Sequence, residues 1–201
     1  MARARQKPAG ESATRILDVA ERLVQSRGFN GFSYADIAAE LEITTASLHY
    51  HFPGKGELGR ALIGRYTERF ADALDAIDDE LADGPEKLAA YGNLYAAVLR
   101  EKRLCLCGML AAEFHTLPEG MREAVLAFFE TNEKWLARVL GEGRDGGRLR
   151  FSGSPEGAAR MIVGGLEGAM LVARPYGDTP RFRDAAASLL ASLTPATAER
   201  D

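Results

Sequence analysis

The sequence predicts an all-α protein of about nine helices, a three-helix N-terminal domain with a helix-turn-helix followed by a larger helical C-terminal domain. Two observations predict it. Apolar residues recur at three-and-four spacing through almost every segment, which gathers them on one face of a helix. The segments open on hydroxyl caps such as Ser12, Ser33, Thr44 and Ser154, and close on stops such as Gly28, Pro53-Gly54 and Gly84-Pro85. A chain of 201 residues is long enough for a small domain joined to a larger one.

The first helix is expected from Ser12 to about Arg27, burying Ile16, Leu17, Ala20, Leu23 and Val24 and ending at Gly28. Before it, residues 1–11 carry Arg3, Arg5 and Lys7 and read as a disordered basic tail, either free in solvent or laid along a phosphate backbone. Phe29-Asn30-Gly31-Phe32 is a turn whose two rings close a small core. Ser33 then caps a second helix, Tyr34 to Leu41, and Asp36 reaches back to complete the start. Its stripe of Tyr34, Ile37, Ala38 and Leu41 needs a partner. Thr44 caps a third helix, Thr45 to His51, whose Leu48 and Phe52 face back. Two helices across so short a turn cross steeply. That crossing leaves Thr44, Thr45, Ser47, His49 and Tyr50 outward, hydroxyls and amphipathic rings suited to phosphates or base edges. Lys55 lies just beyond Pro53-Gly54, where a backbone phosphate would pass. The unit reads as DNA-binding.

This order of capped helix, Asp36-Ile37-Ala38, turn, Leu48-x-Tyr50-x-Phe52 and Pro53-x-Lys55-x-x-Leu58 resembles the N-terminal domain of the TetR/AcrR family of transcriptional repressors, from near Ile16 to Leu58. The resemblance implies that Thr44, Thr45, Ser47 and Tyr50 read the groove and that His49, Tyr50 and Lys55 anchor phosphates. Two residues depart from the family pattern. Glu42 stands where glycine is usual in the turn, and a left-handed backbone there strains a residue with a Cβ. His49 stands where tyrosine is usual.

The balance of 25 basic and 29 acidic residues, net −4, is not that of a protein held to DNA by bulk charge. Residues 1–60 hold eight basic against seven acidic side chains, so the asymmetry is mild. No run reaches membrane-spanning length and no apolar stretch follows the N-terminal charges, so a cytoplasmic protein is expected. Cys105 and Cys107, one residue apart, suit neither a disulfide framework nor a zinc site and are expected as free thiols. No cofactor or metal set is expected.

The C-terminal domain is expected over residues 59–194, with 195–201 a frayed tail. A long helix from Gly56 to about Asp83 spans both domains and reads as a lever that moves the reading helix. Further helices are expected over Pro85 to Lys102, Leu104 to Thr116, Glu119 to Leu140, Pro155 to Arg174 and Thr179 to Leu193, with a surface loop from Gly141 to Ser154 in which Leu149-Arg150-Phe151 touches down. Gly157, Gly164, Gly165 and Gly168 are costly inside a helix unless another backbone comes close. With Phe182, Ala186, Leu189 and Leu193 they point to the last two helices pairing with their symmetry mates, or to a tight intrachain core.

A homodimer on a palindromic double-stranded operator suits one short recognition helix per chain. The expected regulator releases DNA when a small hydrophobic or aromatic effector fills a cavity lined by Tyr66, Phe70, Tyr91, Tyr95, Met109, Phe114, Phe128 and Trp135. Asn132, on the same apolar line, is either a satisfied core amide or a hook for the ligand. A rival input is thiol sensing. The run Cys105-Leu106-Cys107-Gly108 resembles the opening of helix six in relatives with a sensing cysteine, and a helix N-terminus beside Arg103 would lower the pKa of Cys105. Catalysis by Cys105 or Cys107 with His115 is disfavoured, since ~1.5 Å per residue separates them by ~12–15 Å along a helix.

Overall fold

The computed structural model describes residues 9–194, and within them the chain folds into nine α-helices and two short 3-10 turns, with no strand. The helices are α1 (Ala9–Arg27), α2 (Tyr34–Leu41), α3 (Thr45–His51), α4 (Lys55–Glu80), α5 (Gly84–Arg100), α6 (Leu106–Ala112), α7 (Glu119–Asp145), α8 (Pro155–Ala173) and α9 (Thr179–Ala191). No helix among these residues is long and apolar enough to cross a membrane.

The boundaries differ from expectation where tertiary contacts outweigh local signals. Helix α1 begins at Ala9, so Ser12 lies inside it and is not its cap; the rest of the basic tail and the expected frayed end at 195–201 lie outside the described residues. Lys55 opens α4, one residue early. The expected sixth helix breaks into α6 and a 3-10 turn, Phe114–Thr116. Helix α7 runs on through Gly141 and Gly143 to Asp145, because Leu149 folds back onto the bare face of Gly143, where a Cβ would stand 2.9 Å from its Cγ. Leu149 is buried and Arg150 N–H donates to Leu193 O at 2.8 Å, so the expected touch-down is present.

Three ties fix the helices around α4. On one side of its middle turns, the buried Glu21 of α1 accepts from Arg65 at 2.9 Å and Arg69 at 2.6 Å, and Arg65 also reaches Asp18 at 2.7 Å. In its middle, Tyr66 and Phe70 enter an aromatic cluster with Tyr91, Tyr95 and Phe128 at centroid distances of 5.3–6.2 Å. Near its end, Asp78 accepts from Lys87 of α5 at 2.6 Å, from the Trp135 indole of α7 at 2.9 Å and from Arg138. Those hydrogen bonds and cations hold the Asp78 carboxyl below its usual pKa despite the burial that opposes them. Helix α4 is therefore gripped from its middle to near its end.

The glycines of α8 divide by what they face. A Cβ on Gly165 would come 2.6 Å from Leu189 of α9, so that glycine is required by the contact within the chain. Gly164 and Gly168 have nothing within 4 Å. Phe182, Ala186 and Leu193, expected either at an interface between copies or in a tight intrachain core, are buried within their own chain. The exposed positions of α9 are instead charged or small, Arg183, Asp184, Ala185 and Ser188 among them.

Candidate nucleic-acid interface and a pocket among the C-terminal helices

The helix-turn-helix forms as its local signals require. Ser33 N–H donates to Asp36 Oδ2 at 2.7 Å and its hydroxyl to the same oxygen at 2.6 Å, while Thr44 Oγ1 accepts Ser47 N–H at 3.2 Å. Glu42 turns the chain between them at φ 54° and ψ 43°, the left-handed geometry. Leu48 and Phe52 are buried, and the Tyr34 hydroxyl donates to Phe52 O at 2.9 Å, locking α2 to the end of α3.

That packing leaves one face of α3 in solvent. Thr44, Thr45, Ser47, His49 and Tyr50 are all exposed there, Tyr50 at 81%. Such an apolar ring standing out from a short helix has no role in the core. His49 packs on the Tyr34 ring at 4.8 Å and its Nδ1 lies 3.0 Å from Pro53 O. A carbonyl only accepts, so Nδ1 is the donor in this contact. Lys55 is placed differently from its neighbours. Its ammonium turns back to the carbonyls of Phe29 and Phe32 and lies over both rings, 4.6 and 4.2 Å from their centroids. Burial lowers its pKa, with Glu113 and Asp36 opposing. It holds the α1–α2 turn first, and a phosphate would have to share it.

The aromatic residues expected to line a cavity are packed against one another. Tyr91 stacks on Trp135 at 5.7 Å, and its hydroxyl donates to Asn132 Oδ1 at 3.0 Å and meets Tyr95 Oη at 3.2 Å. Asn132 Nδ2 donates to Phe128 O at 2.8 Å, which gives the amide a partner on each side. Phe114 is half-buried in the 3-10 turn, away from this cluster's ring contacts.

A pocket of about 330 Å³, open to solvent along its rim at Gly164, Gly168 and Leu171, lies between α6, α7 and α8. Its walls are Leu104, Met109, Phe129, Val163, Met170 and Leu171, with Gly108 and Gly164, and one acid, Glu167. Of the residues expected as lining, Met109 alone is on this wall. Glu167 was missed from sequence, although a signal was present: it is the one charged residue between Arg160 and Arg174.

Cys105 and Cys107 are free and buried behind the same wall. The Tyr66 hydroxyl donates to Cys105 Sγ at 3.7 Å, and the Cys105 thiol hydrogen-bonds the Glu167 carboxylate. The expected lowering of the Cys105 pKa is reversed. Burial pushes the thiol well above its usual range and the Glu167 carboxylate adds to the shift, while Arg103 pairs with Glu101 at 3.3 Å. Cys107 shifts up for the same reasons. His115 is exposed in the 3-10 turn, apart from both thiols.

Several contacts join the pocket's surroundings to the end of α1 and the turn before α2. Glu113, directly after α6, accepts the Phe29 N–H at Oε2 and the Asn30 N–H at Oε1, the latter at 3.2 Å. Asn30 Nδ2 adds a bond to Thr116 at 2.8 Å, Leu104 N–H donates to Gln25 O at 3.2 Å, and Arg174 reaches Ser26 O. The end of α1 and its following turn are thus held by α6 and the end of α8.

The same architecture occurs in known proteins. Residues 16–62 match the family model described as bacterial regulatory proteins, tetR family, and residues 84–189 match the tetracyclin repressor-like C-terminal domain. A TetR-family transcriptional regulator from Agrobacterium tumefaciens superimposes with a TM-score of 0.90 at 32% identity, covering 94% of this chain and 100% of that one. The transcriptional regulator AcuR of Cereibacter sphaeroides is 28% identical over 155 residues, 74% of this chain and 69% of its own. The transcriptional repressor NemR of Escherichia coli is 27% identical over 165 residues, 79% and 82% of the two chains. With a helix-turn-helix at its N-terminus and both family models matched in order, the chain belongs to the TetR family of transcriptional regulators.

Proposed function

We propose that the protein is a repressor that binds a palindromic operator as a homodimer and releases it when a small molecule enters the cavity between α6, α7 and α8. Thr44, Thr45, Ser47 and Tyr50 read the major groove, with His49, Tyr50 and Lys55 at the flanking phosphates. The observation that carries this reading is Glu113. It stands one residue beyond the cavity residues Ala111 and Ala112 and grips the backbone N–H groups of the turn that Lys55 holds from the other side. A ligand that displaces α6 pulls on that turn, and through Lys55 on the start of α4 and the recognition helix. A second path runs from Glu167 through Cys105 to Tyr66 on α4. Release follows if the ligand binds better to the state in which the two recognition helices no longer match successive major grooves.

Binding of the purified protein to its own upstream DNA tests the reading. At physiological salt, footprinting is expected to show one protected palindrome, and Tyr50→Ala to weaken it at least tenfold with an unchanged melting temperature. Uniform, sequence-independent binding would falsify the proposal.

A further inference from the structure

We propose that the cavity between α6, α7 and α8 binds a small organic cation, a primary or secondary ammonium on an apolar body, with the Glu167 carboxylate taking its N–H group. This rests on the reading of that cavity as the effector site and names the class of effector.

Glu167 Oε1 is sealed from solvent and has no hydrogen-bond partner. The groups facing the carboxylate offer no counter-charge. From α6 and the residue before it come the thiols of Cys105 and Cys107, from α4 the phenol of Tyr66, and from α5 those of Tyr91 and Tyr95, all neutral and pushed up by burial. Helix α7 contributes Phe129 to the wall. The nearest cations on α8 and just after it are engaged elsewhere, Arg160 with Glu133 at 3.4 Å and Arg174 with Ser26 O and the Met109 sulfur. Room for the carboxylate is provided by Gly108, where a Cβ would collide with Oε2.

A carboxylate placed in an apolar cavity without a cation or a full set of donors is unfavourable, and the protein meets that by raising its pKa to about 7 through burial. An alkyl or aryl ammonium supplies the missing donor and the missing charge together, while Leu104, Phe129, Val163 and Leu171 cover its hydrocarbon. A neutral hydrocarbon leaves Oε1 unsatisfied. An anion meets like charge. Because the ammonium pairs with the ionised form, affinity falls as pH drops through the carboxyl's range.

Isothermal titration of the full-length protein with a matched series tests this: n-butyl, benzyl and 2-phenylethyl bodies, each as amine, alcohol and carboxylate. The amines are expected to bind at least tenfold tighter than their alcohols, with no carboxylate binding. Amine affinity is expected to fall about tenfold from pH 8 to pH 6, the loss set by protonating a group with pKa about 7. Glu167→Gln abolishes the preference for the amine, with the helical circular-dichroism signal retained. Should that variant not fold, Gly108→Ala crowds the carboxylate and lowers amine affinity in its place. Equal binding of amine and alcohol, no binding by any member, or a preference that survives Glu167→Gln overturns the inference. So does a Glu167→Gln variant that loses only its dimer, which assigns the carboxylate to a subunit contact. Amines that bind without releasing operator DNA leave the inference standing and end the effector reading. Release by a non-amine, with no amine bound, does the reverse.

Discussion

Glu42 holds a left-handed backbone between the two helices of the reading unit, at φ 54°, and its side chain is exposed. A residue with a Cβ in that region costs about 1–2 kcal/mol, and glycine gives back about 0.5–1 kcal/mol through the freedom of its unfolded chain. Glu42→Gly is therefore expected to stabilise the protein by about 0.5–1 kcal/mol in urea denaturation; a lower midpoint would mean that the carboxylate makes a contact worth more than the strain. The caps at Ser33 and Thr44 and the strain at Glu42 were legible from sequence because each depends on neighbours within a few residues. Lys55 and Glu167 were not. The direction of the Lys55 ammonium is set by the carbonyls of Phe29 and Phe32, and the isolation of Glu167 by groups on α4, α5 and α6.

At the scale of elements, helix existence followed the apolar spacing throughout, while helix ends moved where another element supplied the cap or the space. Gly141 and Gly143 read as loop residues, yet α7 continues through them because Leu149 fills the space that Gly143 leaves. The break after α6 has the opposite consequence: it frees Glu113 to point at the α1–α2 turn. Removing that carboxylate leaves the part-buried Phe29 N–H without a partner, at a cost of about 1–3 kcal/mol, while water replaces it at the exposed Asn30 N–H. Glu113→Ala is expected to lose about that much stability in denaturant and to keep effector affinity. The ratio of operator affinities without and with effector is expected to shrink towards one. A ratio equal to that of the unmutated protein would remove Glu113 from the coupling path.

For the whole molecule, sequence periodicity identified which residues are interior but not which interior is empty. Tyr91, Tyr95, Phe128 and Trp135 have the pattern of a lining and are close-packed core, because spacing reports only that a side chain points inward. The opposite ambiguity holds on α8, where a glycine series has one member explained by α9 and two, Gly164 and Gly168, that face open space. Beside them Met161, Leu171 and Val172 are 47%, 61% and 57% exposed. An apolar stripe of that extent, flush with bare backbone, fits the approach of a second α8 and α9 related by a two-fold axis, and would set the spacing of two recognition helices. Val172→Asp puts a charge into that stripe without touching the cavity wall or α3. Sedimentation is expected to show a monomer with a melting profile close to that of the isolated fold. Affinity for the palindrome is expected to drop at least a hundredfold, since each half-site then binds alone and the linkage between them is lost. A variant that remains a dimer with full operator affinity would place the subunit contact on another face, and the outward glycines of α8 would then need a different partner.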